Sequence, residues 1–218
     1  MTPGTSATDP SGARRPTSHE RRAGQPWDAS YRDGPAPWDV GQPQPAVVQL
    51  ASEGRFVGAV LDTGCGTGEN ALHVASLGLQ VLGVDVAETA LAMARAKADD
   101  RGIDAEFAMA DALQLGQLGR VFDTVLDCGL FHTFDSDERR DYAASLASVT
   151  KRGGALYVLC FSDVGPGTCG PHPVSQEELR AAFDRGNGWT VSAIELSRAQ
   201  TRFHDDGAPA WLATINRI

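Results

Sequence analysis

Three glycines at alternate positions, Gly64, Gly66 and Gly68, follow the apolar run 58–62 and lead directly into Glu69. Glycine turns the chain tightly and lets a ligand lie against bare main chain, and a helix opening just beyond presents unpaired N–H groups. Carboxylates recur downstream, each after an apolar run: Asp85 in Gly83-Val84-Asp85, Asp111 in Ala110-Asp111-Ala112, and Asp127 in Leu126-Asp127-Cys128-Gly129. Acids gathered around a glycine loop suit a ligand that carries positive charge and hydroxyl groups. A histidine follows in Leu130-Phe131-His132-Thr133-Phe134. It brings a group that titrates near neutral pH, for use as a base or an orienting donor.

These residues need a frame. Short apolar runs at 58–62, 79–85, 105–110, 121–127 and 154–161 read as strands. Segments with helical spacing of apolar residues lie at 45–53, 69–77, 87–99 and 136–149, and Ser175 with Glu178 has the spacing of a capping box. Strand alternating with helix predicts a parallel sheet. Two last strands, at 189–196 and 210–215, follow one another with no helix between them, so one of them runs antiparallel. The expected fold is α/β: a Rossmann-like, seven-stranded, mostly parallel sheet with helices on both faces and the last strand antiparallel. Open α/β sheets bind ligands beyond the carboxyl ends of their strands, where the acids fall.

The dinucleotide fingerprint G-x-G-x-x-G, counted from Gly64, needs a glycine where Glu69 stands, so it fails. A carboxylate opening that helix disfavours a pyrophosphate and favours an ammonium and a sulfonium, which are the charges of S-adenosyl-L-methionine. Asp85, about twenty residues past the loop, is placed to accept from both ribose hydroxyls, and Asp111 to reach the adenine amino group. The plainer alternative for Asp85 is a helix cap.

In order, LDTGCGTGE, GVD, MADA and FDTVLDCGLFHTF resemble the successive motifs of class I adenosylmethionine-dependent methyltransferases over residues 45–161. The resemblance implies that Gly64 and Gly66, with Cys65, line the methionine part of the cofactor. It implies that Asp85 and Val86 hold the ribose, that Asp111 and Ala112 flank the adenine, and that Asp127 and Cys128 edge the reaction site. The stretch Pro37-Trp38-Asp39-Val40-Gly41-Gln42-Pro43-Gln44-Pro45 is similar to the segment ahead of the domain in thiopurine and halide/thiol methyltransferases and in heterocyclic-toxin methyltransferases. There it folds over the ligands as a lid. By that likeness Trp38 covers the cofactor, and Trp27, Tyr31, Phe131, His132 and Arg198 face a small acceptor, with Arg202 near it and the loop 163–173 as the far wall. No firm base stands out beyond His132, which tilts the acceptor toward a thiol or an acidic hydroxyl.

Residues 1–25 are rich in Pro, Gly, Ser, Thr and Arg, a composition that buries too little to offset ordering entropy and is read as a disordered tail. Residues 26–44 are read as the lid and 45–218 as one methyltransferase domain. The net charge of -9 disfavours a nucleic-acid partner or an anionic membrane surface. No apolar run is long enough to span a bilayer and none resembles a signal peptide, so a cytoplasmic location is expected. The four cysteines, Cys65, Cys128, Cys160 and Cys169, form no C-x-x-C pair and are read as reduced thiols, with no metal site. The oligomeric state is not legible. Two alternatives stay open: a non-catalytic adenosylmethionine-binding module, and a macromolecule methyltransferase. Calorimetry tests the cofactor assignment: adenosylmethionine binds and NAD does not, and the reverse result overturns it.

Overall fold

The computed structural model describes residues 14–164 and 172–218. Five strands, β1 (Ala59–Thr63), β2 (Gln80–Asp85), β3 (Glu106–Met109), β4 (Phe122–Cys128) and β5 (Thr150–Phe161), are joined by β6 (Trp189–Thr201) and β7 (His204–Arg217). They form one sheet in the order β3-β2-β1-β4-β5-β7-β6. The first five pair in parallel. β7 runs antiparallel to both of its neighbours, β5 and β6. The sheet is therefore seven-stranded and mostly parallel, as the alternation of strand and helix predicts. Chain order reverses between β1 and β4, so the crevice of this open sheet lies over their carboxyl ends.

Side-chain alternation divides the core between the two faces. Val60, Val81 and Leu126 pack with Val47 and Leu50 of helix α2 (Pro45–Ser52) and Val74 of α3 (Glu69–Ala75). Their chain neighbours Leu61, Leu82 and Val125 pack on the other face with Tyr142 and Leu146 of α5 (Ser136–Val149) and Leu179 of α6 (Gln176–Ala182). A period of two along strands buried on both faces has this result. Between α3 and α5, α4 (Glu88–Arg101) ends at Gly102 in the left-handed conformation. Ser175 caps α6 through the expected box with Glu178.

The amino-terminal stretch differs from its composition. Residues 14–25, placed in the disordered tail by the sequence reading, contain α1 (Ser18–Ala23). Thr17 and Glu20 form a capping box, and Gly24 closes the helix at φ 70°. Polar contacts dock it. Glu138, at the start of α5, accepts from Ser18 N at 2.6 Å and Ser18 Oγ at 2.5 Å. Arg21 lies 3.6 Å from Glu138 and 3.7 Å from Asp135. Low apolar content thus misjudges a segment held by caps and by another helix's acidic first turn. Residues 27–31, likewise not read as a regular element, form a single 3-10 turn (Trp27–Tyr31). The tail's residues 1–13, and residues 165–171 with Cys169, lie outside the described residues. No helix among the described residues is long and apolar enough to cross a membrane.

Candidate active site

The glycine loop joins β1 to α3 at the sheet's reversal point. Gly66 (φ 53°) is held by Asp85: its N–H donates to Asp85 Oδ2 at 2.9 Å, while Ala87 N–H donates to Oδ1 at 2.9 Å. One carboxylate therefore fixes both the loop after β1 and the turn after β2. Each oxygen keeps a further lone-pair site for a ligand. Gly68 serves packing: a Cβ there would stand 2.8 Å from Ala94 Cβ and 3.0 Å from the Phe107 ring.

The charge expected from Glu69 is not free. Its carboxylate takes Arg101 at 2.8 and 3.0 Å and Lys97 at 2.9 Å. Besides Glu69, the acids Asp39, Asp85 and Asp111 line the crevice, and two more carboxyls, Asp62 and Asp127, lie buried. Burial raises the Asp85 carboxyl, against the pull of its backbone donors. Neither oxygen of Asp62 has a hydrogen-bond partner, and Asp127 Oδ2 has none. Burial, with Asp127 and Asp85 nearby, pushes Asp62 up to about 8. Burial pushes Asp127 up to about 6 although its Oδ1 accepts from Leu130 N at 2.9 Å and Phe131 N at 3.3 Å. Asp127 is thus not on the crevice wall, where the sequence reading puts it. It braces the turn beneath that wall, and Cys128 lies on the surface instead.

The crevice encloses about 370 Å³. Of the residues singled out from sequence, Gly64, Cys65, Gly66, Asp85, Val86, Asp111, Ala112, Cys128, Trp27, Tyr31, Trp38 and His132 line it. Asp111 also caps its own 3-10 turn through Leu113 N at 3.0 Å. Three residues correct the sequence reading besides Asp127. Phe131 is fully buried in the core, 5.4 Å from the Phe183 ring and under the Arg139 guanidinium at 5.0 Å. Arg198 donates to the carbonyls of Asp206 at 2.5 Å and Gly207 at 2.9 Å, and so braces the β6–β7 hairpin. Arg202 donates from Nε to Asp39 O at 2.6 Å and from its backbone N to Pro37 O at 2.9 Å, fastening the arm.

That arm closes one side of the crevice. Trp38 Nε1 donates to Tyr31 Oη at 2.8 Å, and a Cβ on Gly66 would lie 3.1 Å from the same hydroxyl. Gln44 exchanges two hydrogen bonds with the Gln200 backbone, at 2.9 and 2.7 Å. Thr67 donates to Asp39 at 3.0 Å. Trp27 meets Trp38 edge-on at 5.5 Å and stacks on His19 at 4.3 Å. Arg14, Thr17 and His19, which composition discounts, also line the crevice. The Thr17-x-x-Glu20 box closed by Gly24 is the signal that marks them.

His132 is buried, and its ring stacks on Phe161 at 4.2 Å. Its Nδ1 accepts from Phe161 N at 3.2 Å, which assigns the proton of the neutral ring to Nε2. Burial, then Arg139, lowers its pKa to about 3. His132 is therefore a neutral N–H donor. The base role that the sequence reading allows it does not fit this tautomer.

A methyltransferase-domain model matches residues 60–154. The 2-heptyl-1-hydroxyquinolin-4(1H)-one methyltransferase of Mycobacteroides abscessus is 36% identical over 178 residues, covering 79% of this chain and 78% of that one. The chain belongs to the class I S-adenosylmethionine-dependent methyltransferases. Thiocyanate methyltransferase 1 of Brassica oleracea is 29% identical over 62% of this methyltransferase and 61% of its own length. A structure solved in work on the conversion of a disulfide bond into a thioacetal group during echinomycin biosynthesis superimposes with a TM-score of 0.79 at 40% identity, covering 88% and 91% of the two chains. Magnesium protoporphyrin IX methyltransferase from Synechocystis with bound S-adenosylhomocysteine shares the fold, with a TM-score of 0.62 at 24% identity over 78% and 80%.

S-adenosyl-L-methionine is the methyltransferase's cofactor, and the crevice suits it. Asp39, Asp85 and Asp111 offer a cation three carboxylates on the lining, and the Asp85 acceptor sites stand beside a loop that leaves main chain bare. The buried pair behind the loop makes a checkable demand on stability. A carboxyl raised from about 3.9 in the unfolded chain is protonated more readily in the folded state, so folding loses stability as pH climbs from there to the folded pKa. For Asp62 that window runs from about 4 to about 8. Asp62→Asn removes that pH dependence. Thermal unfolding of the ligand-free protein is expected to show the variant gaining on wild type from pH 5 to pH 8. An equal difference at both pH values contradicts it.

Proposed function

We propose that this small-molecule methyltransferase acts on the thiol or acidic hydroxyl of a planar heteroaromatic compound, beneath a lid made of α1 and residues 26–44. The observation that carries this reading is the aromatic part of the crevice lining: Trp27 with its stacked His19, Trp38, and Phe161 with its stacked His132. Flat π-faces that can stack suit a flat ring. The relatives support it, since their names specify a hydroxyquinolinone and thiocyanate as acceptors.

On this reading Gly64, Cys65 and Gly66 cradle the methionine end of the cofactor. Asp85 and Val86 take the ribose, Asp111 and Ala112 flank the adenine, and Cys128 borders the transferred group, with Trp38 as cover. When bound, the cofactor supplies an activated methyl on a good leaving group. The protein's own share is alignment and exclusion of water, and alignment alone supplies up to ~7–11 kcal/mol. His132 presents Nε2–H to the acceptor and stabilises its negative charge as the bond forms. The net charge of -9 disfavours a nucleic-acid acceptor.

Incubation with adenosylmethionine and a panel of hydroxyquinolinones, mercapto-heterocycles, thiophenols and aliphatic thiols, read by mass spectrometry, tests the acceptor class. Methylation confined to aliphatic thiols, or absent throughout, sinks it. Removal of residues 1–40 tests the lid. The truncated domain is expected to keep binding S-adenosylhomocysteine and to lose turnover at least about tenfold, as loss of a closing element does. Turnover at the full-length rate refutes the lid.

A further inference from the structure

The tip of the β6–β7 hairpin carries an aromatic ring that the fold leaves uncovered. Phe203 is 74% exposed, and it lines the crevice. A lone exposed apolar residue is ordinary on a protein surface. Leu196, Met109 and Val57 are of that kind, since they stand off the crevice lining. Phe203 differs in where it stands and in how it is held.

Its backbone is pinned on both sides. Arg202, just before it, donates from N to Pro37 O at 2.9 Å and from Nε to Asp39 O at 2.6 Å. Gln200 exchanges two hydrogen bonds with Gln44, at 2.9 and 2.7 Å. Phe203 N donates to Thr201 Oγ1 at 3.3 Å, and His204 Nδ1 lies 2.9 Å from the same hydroxyl. The tip is thus fastened to the arm, and its ring is carried on fixed backbone beside the crevice. Because Arg202 grips the arm at Pro37 and Asp39, the apolar side chains of Pro37 and Val40, which also line the crevice, share this stretch with Phe203.

We infer that Phe203, with Pro37 and Val40, forms a subsite for an apolar substituent of the methyl acceptor, an alkyl or aryl tail on the ring that bears the reactive group. The inference rests on the acceptor class proposed above. A tail laid across an exposed ring takes apolar surface of both partners out of water. A ring on pinned backbone loses little freedom when the tail arrives, so most of that gain appears as binding. The chain neighbours Arg202, His204, Asp205 and Asp206 are all polar, which leaves the apolar contact of the tip to Phe203 alone. Phe203 is therefore a specificity-determining residue: it touches the part of the acceptor that does not react.

The test uses the full chain, S-adenosylmethionine, and 1-hydroxyquinolin-4-ones and mercapto-heterocycles that are bare or carry a propyl or hexyl chain at each free ring carbon in turn. At one ring position or more, wild type is expected to gain about two- to fourfold in kcat/KM per methylene that reaches Phe203, mostly through KM. The hexyl-to-bare ratio should exceed about tenfold. Phe203→Ser should bring that ratio close to one and Phe203→Leu should keep most of it. Leu196→Ala, which removes an exposed apolar side chain off the crevice, should leave it as in wild type. Calorimetry with S-adenosylhomocysteine should show Phe203→Ser within about threefold of wild-type affinity, less than half a decade. A wild-type rate that ignores the chain at every position, or a ratio that survives Phe203→Ser, overturns the subsite while the acceptor class stands. Size-exclusion chromatography that finds a wild-type dimer dissolved by Phe203→Ser assigns the ring to an interface and overturns it equally. If wild type methylates no probe, bare or tailed, the acceptor class itself is wrong and this inference falls with it.

Discussion

The Asp85 carboxylate is the joint on which the site turns. Gly66 N–H and Ala87 N–H converge on its two oxygens from two different loops, one after β1 and one after β2. Those loops belong to neighbouring parallel strands, whose ends a sheet fixes in space but whose connections it leaves free. Tying both to one side chain turns a pair of loops into a single floor. The arm depends on that floor in turn, because Tyr31 reaches down to Gly66 and Trp38 rests on Tyr31. The joint is made under burial, which works against the charge that makes it strong. Backbone donors to a carboxylate, each bond worth roughly 1.5–3 kcal/mol when a charged group takes part, offset only part of that cost, and the Asp85 carboxyl stays raised.

Acids and aromatics divide the crevice. Carboxylates gather where the glycine loop lies, some on the surface and two in the protein behind it. Much of the remaining lining is built of rings, among them Trp27, Trp38, Phe134 and Phe161. On the function proposed above, such a division sorts the two reactants by chemistry before any contact is specific: a cation with hydroxyls on one side, an uncharged flat molecule on the other. Of the three elements that close over them, α1 is docked by hydrogen bonds and ion pairs, whereas the 3-10 turn at Trp27–Tyr31 and the strip up to Gln44 add an apolar contact of Tyr31 and Ala36 with Ala87 and Ala90 to their hydrogen bonds. The polar links can be remade in water when the arm lifts, and the apolar contact is what holds it down.

Much of this was legible in the residues. Alternation of strand and helix specified the parallel sheet, and two adjacent strand patterns at the end specified its antiparallel member. Glycine spacing with Asp85 and Asp111 marked part of the crevice lining, because those demands are local. Errors arose where a side chain's direction depends on tertiary packing. Phe131 and His132 are adjacent in one short turn, yet one enters the core and the other the crevice, and no spacing distinguishes them. Arg198 and Arg202 read as facing the acceptor although backbone carbonyls claim both. Glu69 read as a free anion because Lys97 and Arg101 stand a whole strand and helix away in sequence. α1 escapes a reading by apolar content because its caps and its polar contacts, not apolar residues, hold it.

The antiparallel strand has a consequence for assembly. β7 lies between β5 and β6 in the sheet, so β6, although made earlier, has no place there until β7 pairs with both. A nascent chain that has completed β1 to β5 carries an open β5 edge, twelve residues long and rich in buried apolar side chains. Unpaired edges of that sort are templates for other chains. The β6–β7 hairpin thus works as a latch that slides in as one piece, and the interval before it arrives is when the chain is most open to self-association.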